Sequence, residues 1–140
     1  MEFYNEMTVS FKSLSINESF ARVVVASFVT SLDPTLEDLA DIKTAVSEAV
    51  TNAIIHGYEG KDGIITIHCT ITGKTVTIKI IDKGVGIEDI EKARQPFYTS
   101  KPEMERSGMG FTVMETFMDR MEVESRPGEG TTVTLIKTIE

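Results

Sequence analysis

The chain has 140 residues, 41% hydrophobic and 26% charged, which suits one folded domain with its own apolar core rather than a disordered or fibrous chain. Its formal net charge of −8 argues against nonspecific attraction to nucleic acid or an anionic membrane, since both are polyanions that require a positive field. A single cysteine and two distant histidines exclude an internal disulfide and argue against a zinc cluster, while the absence of a secretory start and of any apolar run near ~20 residues predicts a cytoplasmic protein.

Met7, Val9 and Phe11 alternate with polar neighbours, the period of a half-buried strand. Ser15 and Glu18 form a candidate capping box ahead of a first helix through Phe20 to Val29. Asp33-Pro34 reads as the next helix start, with Asp as N-cap and Pro at the first helical position. Leu39, Ile42, Val46, Ala49, Val50 and Ala53 follow at helical spacing, and Gly57 suits the end of that helix. Ile65, Ile67, Cys69 and Ile71, then Val76, Ile78 and Ile80, alternate on either side of Thr72-Gly73-Lys74 and predict a hairpin. Cys69 reads as a small buried thiol within it.

Residues 88–107 show neither period, contain Pro96 and Pro102, and are rich in charge. A loop of that length inside a compact domain is usually functional or mobile. A helix is expected from about Gly110 through Met118, followed by strands at about Met121 to Ser125 and Thr131 to Thr138 around the turn Arg126-Pro127-Gly128-Glu129-Gly130. This order predicts an α+β fold, a two-layer sandwich of a mixed β-sheet with helices on one face. The glycine signatures of dinucleotide-binding and Walker-type folds are missing, so a nucleotide would have to be bound by another route.

Glu48 and Asn52 are four residues apart, so on a helix they share a face. Alone, Glu48 would be an ordinary solvated residue. Asn is a mediocre helix former, and its amide oxygen could ligate Mg²⁺, which favours hard oxygen donors. His56, one turn on, reads as structural, near the negative end of the helix dipole. Asp82 ends a strand and is followed by Gly84 and Gly86, where backbone can turn sharply and a ligand can approach. Its carboxylate could accept from the exocyclic amino group of adenine and would repel the carbonyl oxygen of guanine; an ordinary strand-end turn is the bland reading. Ser107-Gly108-Met109-Gly110 precedes a helix and could present free N–H groups to phosphate, with Arg94, Lys101 and Arg106 as nearby cations. Taken singly, these would be read as a flexible turn and a solvated charge run.

Together the pieces resemble the Bergerat-fold (GHKL) ATPases. Glu48-Ala49-Val50-Thr51-Asn52-Ala53 resembles the N box, Asp82 to Gly86 the first glycine box, Gly108-Met109-Gly110 the second and Gly130-Thr131-Thr132 the third, so the likeness runs from about Asn17 to Leu135. Asn17 to Arg22 and Glu103 to Phe111 are similar, more narrowly, to the sporulation anti-sigma kinases of endospore-forming bacteria. The resemblance implies that Asn52 ligates Mg²⁺, that Asp82 and Thr131 read adenine, and that Gly84 and Gly86 permit close approach. It implies further that Lys101, Ser107, Gly108, Met109 and Gly110 contact the phosphates, with 88–107 as an ATP lid. Glu48 would be the general base and Arg106 would stand near the γ-phosphate. Glu18 and Arg22 would touch protein partners, a sigma factor (sigma F) that is held inactive and an anti-anti-sigma factor phosphorylated on serine. A homodimer is implied as well.

Two alternatives stay open. A binding module in which nucleotide only shapes a partner surface needs no general base. The ATP-binding part of a sensor histidine kinase needs a phosphoacceptor helix upstream, which the residues before the first helix do not supply unless the chain is a fragment.

Overall fold

Alternating apolar and polar residues dictate which way each strand faces, and the pairing register carries that choice across the sheet. The computed structural model describes residues 3–94 and 110–140. Strands β1 (Tyr4–Lys12), β2 (Ile64–Thr72), β3 (Thr75–Asp82), β4 (Arg120–Arg126) and β5 (Gly130–Thr138) form one five-stranded sheet in the order β1-β2-β3-β5-β4. Val9 faces Ile67, Ile67 faces Ile80, and Ile80 faces Val133, so a row of apolar side chains crosses the sheet on one side.

Helices α1 (Asn17–Val29), α2 (Leu36–Asn52) and α4 (Gly110–Phe117) cover that side, while α3 (Ile90–Ala93) is a single turn. Val25 and Val29 of α1, Ile42, Val46 and Val50 of α2, and Met114 of α4 close the core against Ile65, Ile67, Ile71, Ile78 and Leu135. Cys69 sits fully buried in this layer, and burial pushes its thiol up to about 12, in line with a small apolar side chain. The other face of the sheet carries polar side chains such as His68, whose Nδ1 lies 2.8 Å from Thr8 Oγ1. Among the described residues no helix is long and apolar enough to cross a membrane.

The expected two-layer α+β arrangement is what the structure holds, but the sheet is antiparallel rather than mixed in all four pairings. Two helices in succession separate β1 from β2, and an even number of crossings returns the chain in the opposite sense. The strands β3 and β4 do run the same way, as a helical crossover would have them, but β5 lies between them and pairs antiparallel with both.

Two helix starts also differ from expectation. Asp33 is not the N-cap of α2; it closes a short 3₁₀ turn over Thr30–Leu32 in the left-handed region, at φ 53°. The proline that follows disfavours the right-handed helical region for Asp33, and Asp tolerates the left-handed one. The cap is Thr35, whose Oγ1 accepts from the Asp38 N–H at 3.0 Å while Asp38 Oδ2 accepts from the Thr35 N–H at 3.2 Å. Replacing Thr35 by alanine is expected to cost about 1 kcal/mol, read as a lower urea midpoint with an unchanged slope. The Ser15–Glu18 box does not form at α1, which has no side-chain cap. Glu18 is engaged instead by Arg22 one turn on, at 3.6 Å, and the entry is made by backbone turns and by Asn17 Nδ2 donating to the Lys12 carbonyl.

At its C-terminal end α2 widens into a π turn over Ala53–Gly57, with the Tyr58 N–H donating to the Ala53 carbonyl at 2.9 Å. The Tyr58 phenol then links two segments: it accepts from the Lys83 N–H at 2.7 Å and donates to the Ile64 carbonyl at 2.5 Å. The end of the helix is thus joined to the start of β2 and to the loop after β3.

Candidate functional site

Where α2, the end of β3 and the start of β5 converge lies an open cavity of about 620 Å³. Helix α2 contributes Ala49, Asn52, Ala53 and His56, positions that recur one helical turn apart and so present one stripe. The sheet contributes Ile80, Asp82, Thr131 and Val133, residues 85–93 form another wall, and Gly110 and Phe111 reach in from the start of α4. A mostly apolar hollow with a few convergent polar groups is the form that small-molecule sites take.

Asp82 is the central polar group of this hollow. It is only 6% exposed, and its Oδ1 accepts from the Gly84 N–H at 2.9 Å. Burial pushes its pKa up, and hydrogen bonds from the Gly84 and Thr131 backbone, with the charge of Lys83, partly offset that. Thr131 is its cross-strand neighbour, so the two side chains stand together at one corner of the cavity. Behind them, Ser125 Oγ lies 2.8 Å from Thr131 Oγ1 and accepts from the Ile87 N–H at 2.8 Å.

The two glycines after Asp82 are held by the protein itself. A Cβ on Gly84 would fall 1.9 Å from the Gly57 carbonyl oxygen. Gly86 has φ +78°, and a Cβ there would lie 2.1 Å from the Arg126 carbonyl oxygen. Close approach is therefore between two backbones, sealing this loop onto the π turn and onto the β4–β5 hairpin. Gly86 lines the cavity, whereas Gly84 is tucked behind its wall. Gly84→Ala is expected to destabilise the fold by about 1–3 kcal/mol, the usual scale of overpacking, measured by urea unfolding.

Asn52 faces the cavity with its carboxamide against α4: a Cβ on Gly110 would sit 3.0 Å from both Asn52 Nδ2 and Oδ1. Among the described residues no three His, Cys, Asp or Glu side chains gather in a way that could hold a metal. One amide oxygen in a cavity this open fits Mg²⁺ in the form it takes beside phosphates, with most of its ligands drawn from phosphate and water rather than from a protein cage. Glu48 is one turn before Asn52, half-buried and already engaged with a partner, and it flanks the α2 stripe rather than lining the cavity formed by the described residues.

Of the residues singled out by sequence, the structure brings together Asn52, Asp82, Gly86, Gly110 and Thr131. Glu18 and Arg22 lie elsewhere, paired on α1. Lys101, Arg106, Ser107, Gly108 and Met109 fall outside the described residues, as does most of the expected lid. Arg94 does not serve the cavity: its Nε and Nη2 donate to Glu115 Oε1 at 2.9 and 2.6 Å, fastening α3 to α4. Among the described residues Lys92 is the lysine or arginine in the wall, and His56 lines the cavity too, where a structural role is expected from the sequence. His56 had a signal in the sequence, one turn after Asn52 on the same face, but Lys92 had none, lying in a charged stretch with Glu88, Asp89, Glu91 and Arg94. Ser125 and Tyr58 were likewise silent, because the Ile87 and Lys83 N–H groups that they receive are brought near only by the fold.

Comparison with known proteins adds to this geometry. The family described as "Histidine kinase-like ATPase domain" matches residues 14–137. A Thermoanaerobacter sp. (strain X514) protein named "Anti-sigma F factor" is 65% identical over 139 residues, spanning 99% of this chain and 97% of the relative. Proteins of the same name from Caldanaerobacter subterraneus subsp. tengcongensis and Anoxybacillus flavithermus are 63% and 62% identical, spanning 99% and 95% of this chain and 97% and 92% of those relatives. Among solved structures, the crystal structure of the RsbU and RsbW domains of a Mycobacterium tuberculosis protein superposes with a TM-score of 0.69 at 20% identity. That match covers 96% of this chain and 32% of the other, and at such identity it speaks for the fold alone.

Proposed function

We propose a function on the premise that this chain belongs to the histidine kinase-like ATPase domain family, among the anti-sigma F factors. It binds Mg-ATP, transfers the γ-phosphoryl group to a serine of an anti-anti-sigma factor, and holds a sporulation sigma factor, sigma F, in an inactive complex. The observation that carries the reading is Asp82, a buried carboxylate with two backbone N–H groups fixed on it, standing beside Thr131 in a cavity large enough for a nucleotide. Such an acceptor selects a ligand that brings a donor, as the amino group of adenine does.

In this reading Asn52 offers its amide oxygen to Mg²⁺, which would offset phosphate charge. Gly110, with Ser107, Gly108 and Met109 before it, presents backbone N–H groups to the phosphates, and Lys101 and Arg106 supply positive charge. Glu48 takes the proton of the incoming serine hydroxyl, a poor nucleophile without such help. Residues 88–107 cover the nucleotide as a lid on a single domain of 140 residues. Glu18 and Arg22, on the first helix, belong to the surface met by protein partners, and the working form is a homodimer. With a net charge of −8, direct contact with nucleic acid or a membrane is not part of the function, and the protein acts in the cytoplasm.

A second reading, a module in which nucleotide governs partner binding without chemistry, is favoured by the position of Glu48 outside the cavity wall. One experiment separates the two. The protein is incubated with γ-labelled Mg-ATP and an anti-anti-sigma factor, and in parallel with sigma F. Label on a serine together with nucleotide-dependent capture of the sigma factor supports the kinase. Capture without label leaves the binding module, and neither result removes both.

A further inference from the structure

Ser125 stands behind the cavity wall, and its hydroxyl has a bonding pattern that only one arrangement of protons satisfies. Its Oγ is 3.0 Å from the Gly130 carbonyl oxygen, 2.8 Å from the Ile87 amide nitrogen and 2.8 Å from Thr131 Oγ1. A serine hydroxyl has one proton to give and two lone pairs to receive with. The Gly130 carbonyl can only accept, so the Ser125 proton goes there. The Ile87 N–H can only donate, so it fills one lone pair. The remaining lone pair faces Thr131, and the Thr131 hydroxyl must therefore spend its own proton on Ser125.

The surrounding backbone holds this arrangement in place. Ser125 and Thr131 are register partners on β4 and β5. Gly130, which precedes Thr131, has φ +99°, and a Cβ on it would lie 2.2 Å from the Asp82 carbonyl oxygen, so the start of β5 is pinned against the end of β3. With its proton directed backwards, Thr131 shows the cavity lone pairs only. The Asp82 carboxylate next to it is also an acceptor.

We propose that Ser125 is a positioning residue for base selectivity: by taking the Thr131 proton it makes the Asp82–Thr131 corner an all-acceptor site, which admits a purine bearing a 6-amino group and repels a 6-oxo purine. This rests on the nucleotide reading above and extends it to a residue that does not touch the ligand. Without the Ser125 hydroxyl, the Thr131 proton is free to rotate into the cavity and donate to a carbonyl oxygen.

The test is calorimetric titration of the full chain with Mg-ATP and with the magnesium salt of inosine triphosphate, for the wild type, Ser125→Ala and Ser125→Thr. The expected result is a wild-type preference for ATP that falls by roughly threefold to tenfold in Ser125→Ala, the scale of one net hydrogen bond. Most of that change should come as gained affinity for the inosine nucleotide, and Ser125→Thr, which keeps a hydroxyl, should restore the wild-type ratio. A merely structural role would weaken both nucleotides together. Equal losses, an unchanged ratio, or a wild type that binds both alike would overturn the proposal while leaving nucleotide binding intact. A wild type that binds neither would remove the nucleotide reading and this proposal with it.

Discussion

Replacing Glu48 by glutamine is expected to lower phosphoryl transfer to serine by roughly 10²–10⁴-fold, the usual yield of a positioned general base, while Mg-ATP binding stays close to wild type. The substitution keeps the side chain's shape and reach but removes its negative charge, and with it the capacity to take a proton. Glu48 lies beside the α2 stripe of Ala49, Asn52, Ala53 and His56, about 40° around the helix from Asn52 by helical geometry. From that flank it can meet a hydroxyl arriving from a protein partner without contacting the nucleotide, so binding and transfer should separate. Single-turnover transfer measured alongside calorimetric ATP affinity checks both halves. An unimpaired variant would reject the assignment of Glu48 as base, and a variant that no longer binds ATP would show that it serves the nucleotide instead.

Replacing Asp82 by asparagine is expected to weaken ATP binding by roughly 10²-fold, from the loss of a charge-assisted hydrogen bond at a buried position. The Gly84 N–H, which meets Oδ1 in the wild type, then holds the amide oxygen, and the NH₂ group takes the place of Oδ2. A donor there opposes the adenine amino group and suits a 6-oxo purine, so selectivity should move toward GTP as ATP affinity falls. Wild-type ATP affinity should also decline as pH drops through the raised pKa of Asp82, because protonation removes the acceptor. Stability of the free protein has the opposite sign. A carboxyl raised by burial holds more protons folded than unfolded between the ordinary value of 3.8 and its raised one, so its contribution falls as pH rises through that window. Titrations at several pH values, with unfolding curves of the free protein, measure the two trends.

The strands and the central helix were legible in the sequence because their apolar spacing is governed by burial on one side, which the final packing repeats. Thus Ile65, Ile67, Cys69 and Ile71 alternate and are all buried. Asn52 and Asp82 were legible as candidates because an Asn inside a helix and an Asp at the end of an apolar strand are each unusual enough to draw notice. Helix starts were less so. Thr35 and Asp33 are both good caps locally, and what chose Thr35 was the effect of Pro34 on the backbone of its predecessor. Sheet direction was hidden too, because the insertion of β5 between β3 and β4 is a property of the whole topology. The residues that brace the site, Ser125 and Tyr58, left no trace, since most of their partners are backbone carbonyls and amides that only the fold brings near.

A π turn holds one residue more than an α turn, and here that surplus occurs at Ala53–Gly57, directly against the cavity. Wound as an ordinary α turn with the same residues, the segment would carry everything beyond it about 100° further round. His56 would then leave the hollow, and Gly57 would lose the place in which its bare Cα leaves room for the Asp82 carboxyl and its carbonyl accepts from the Val85 N–H. The wide winding is therefore what this short stretch must keep: a change that drew it into an ordinary turn would undo the floor of the site while the sheet beneath it remained whole.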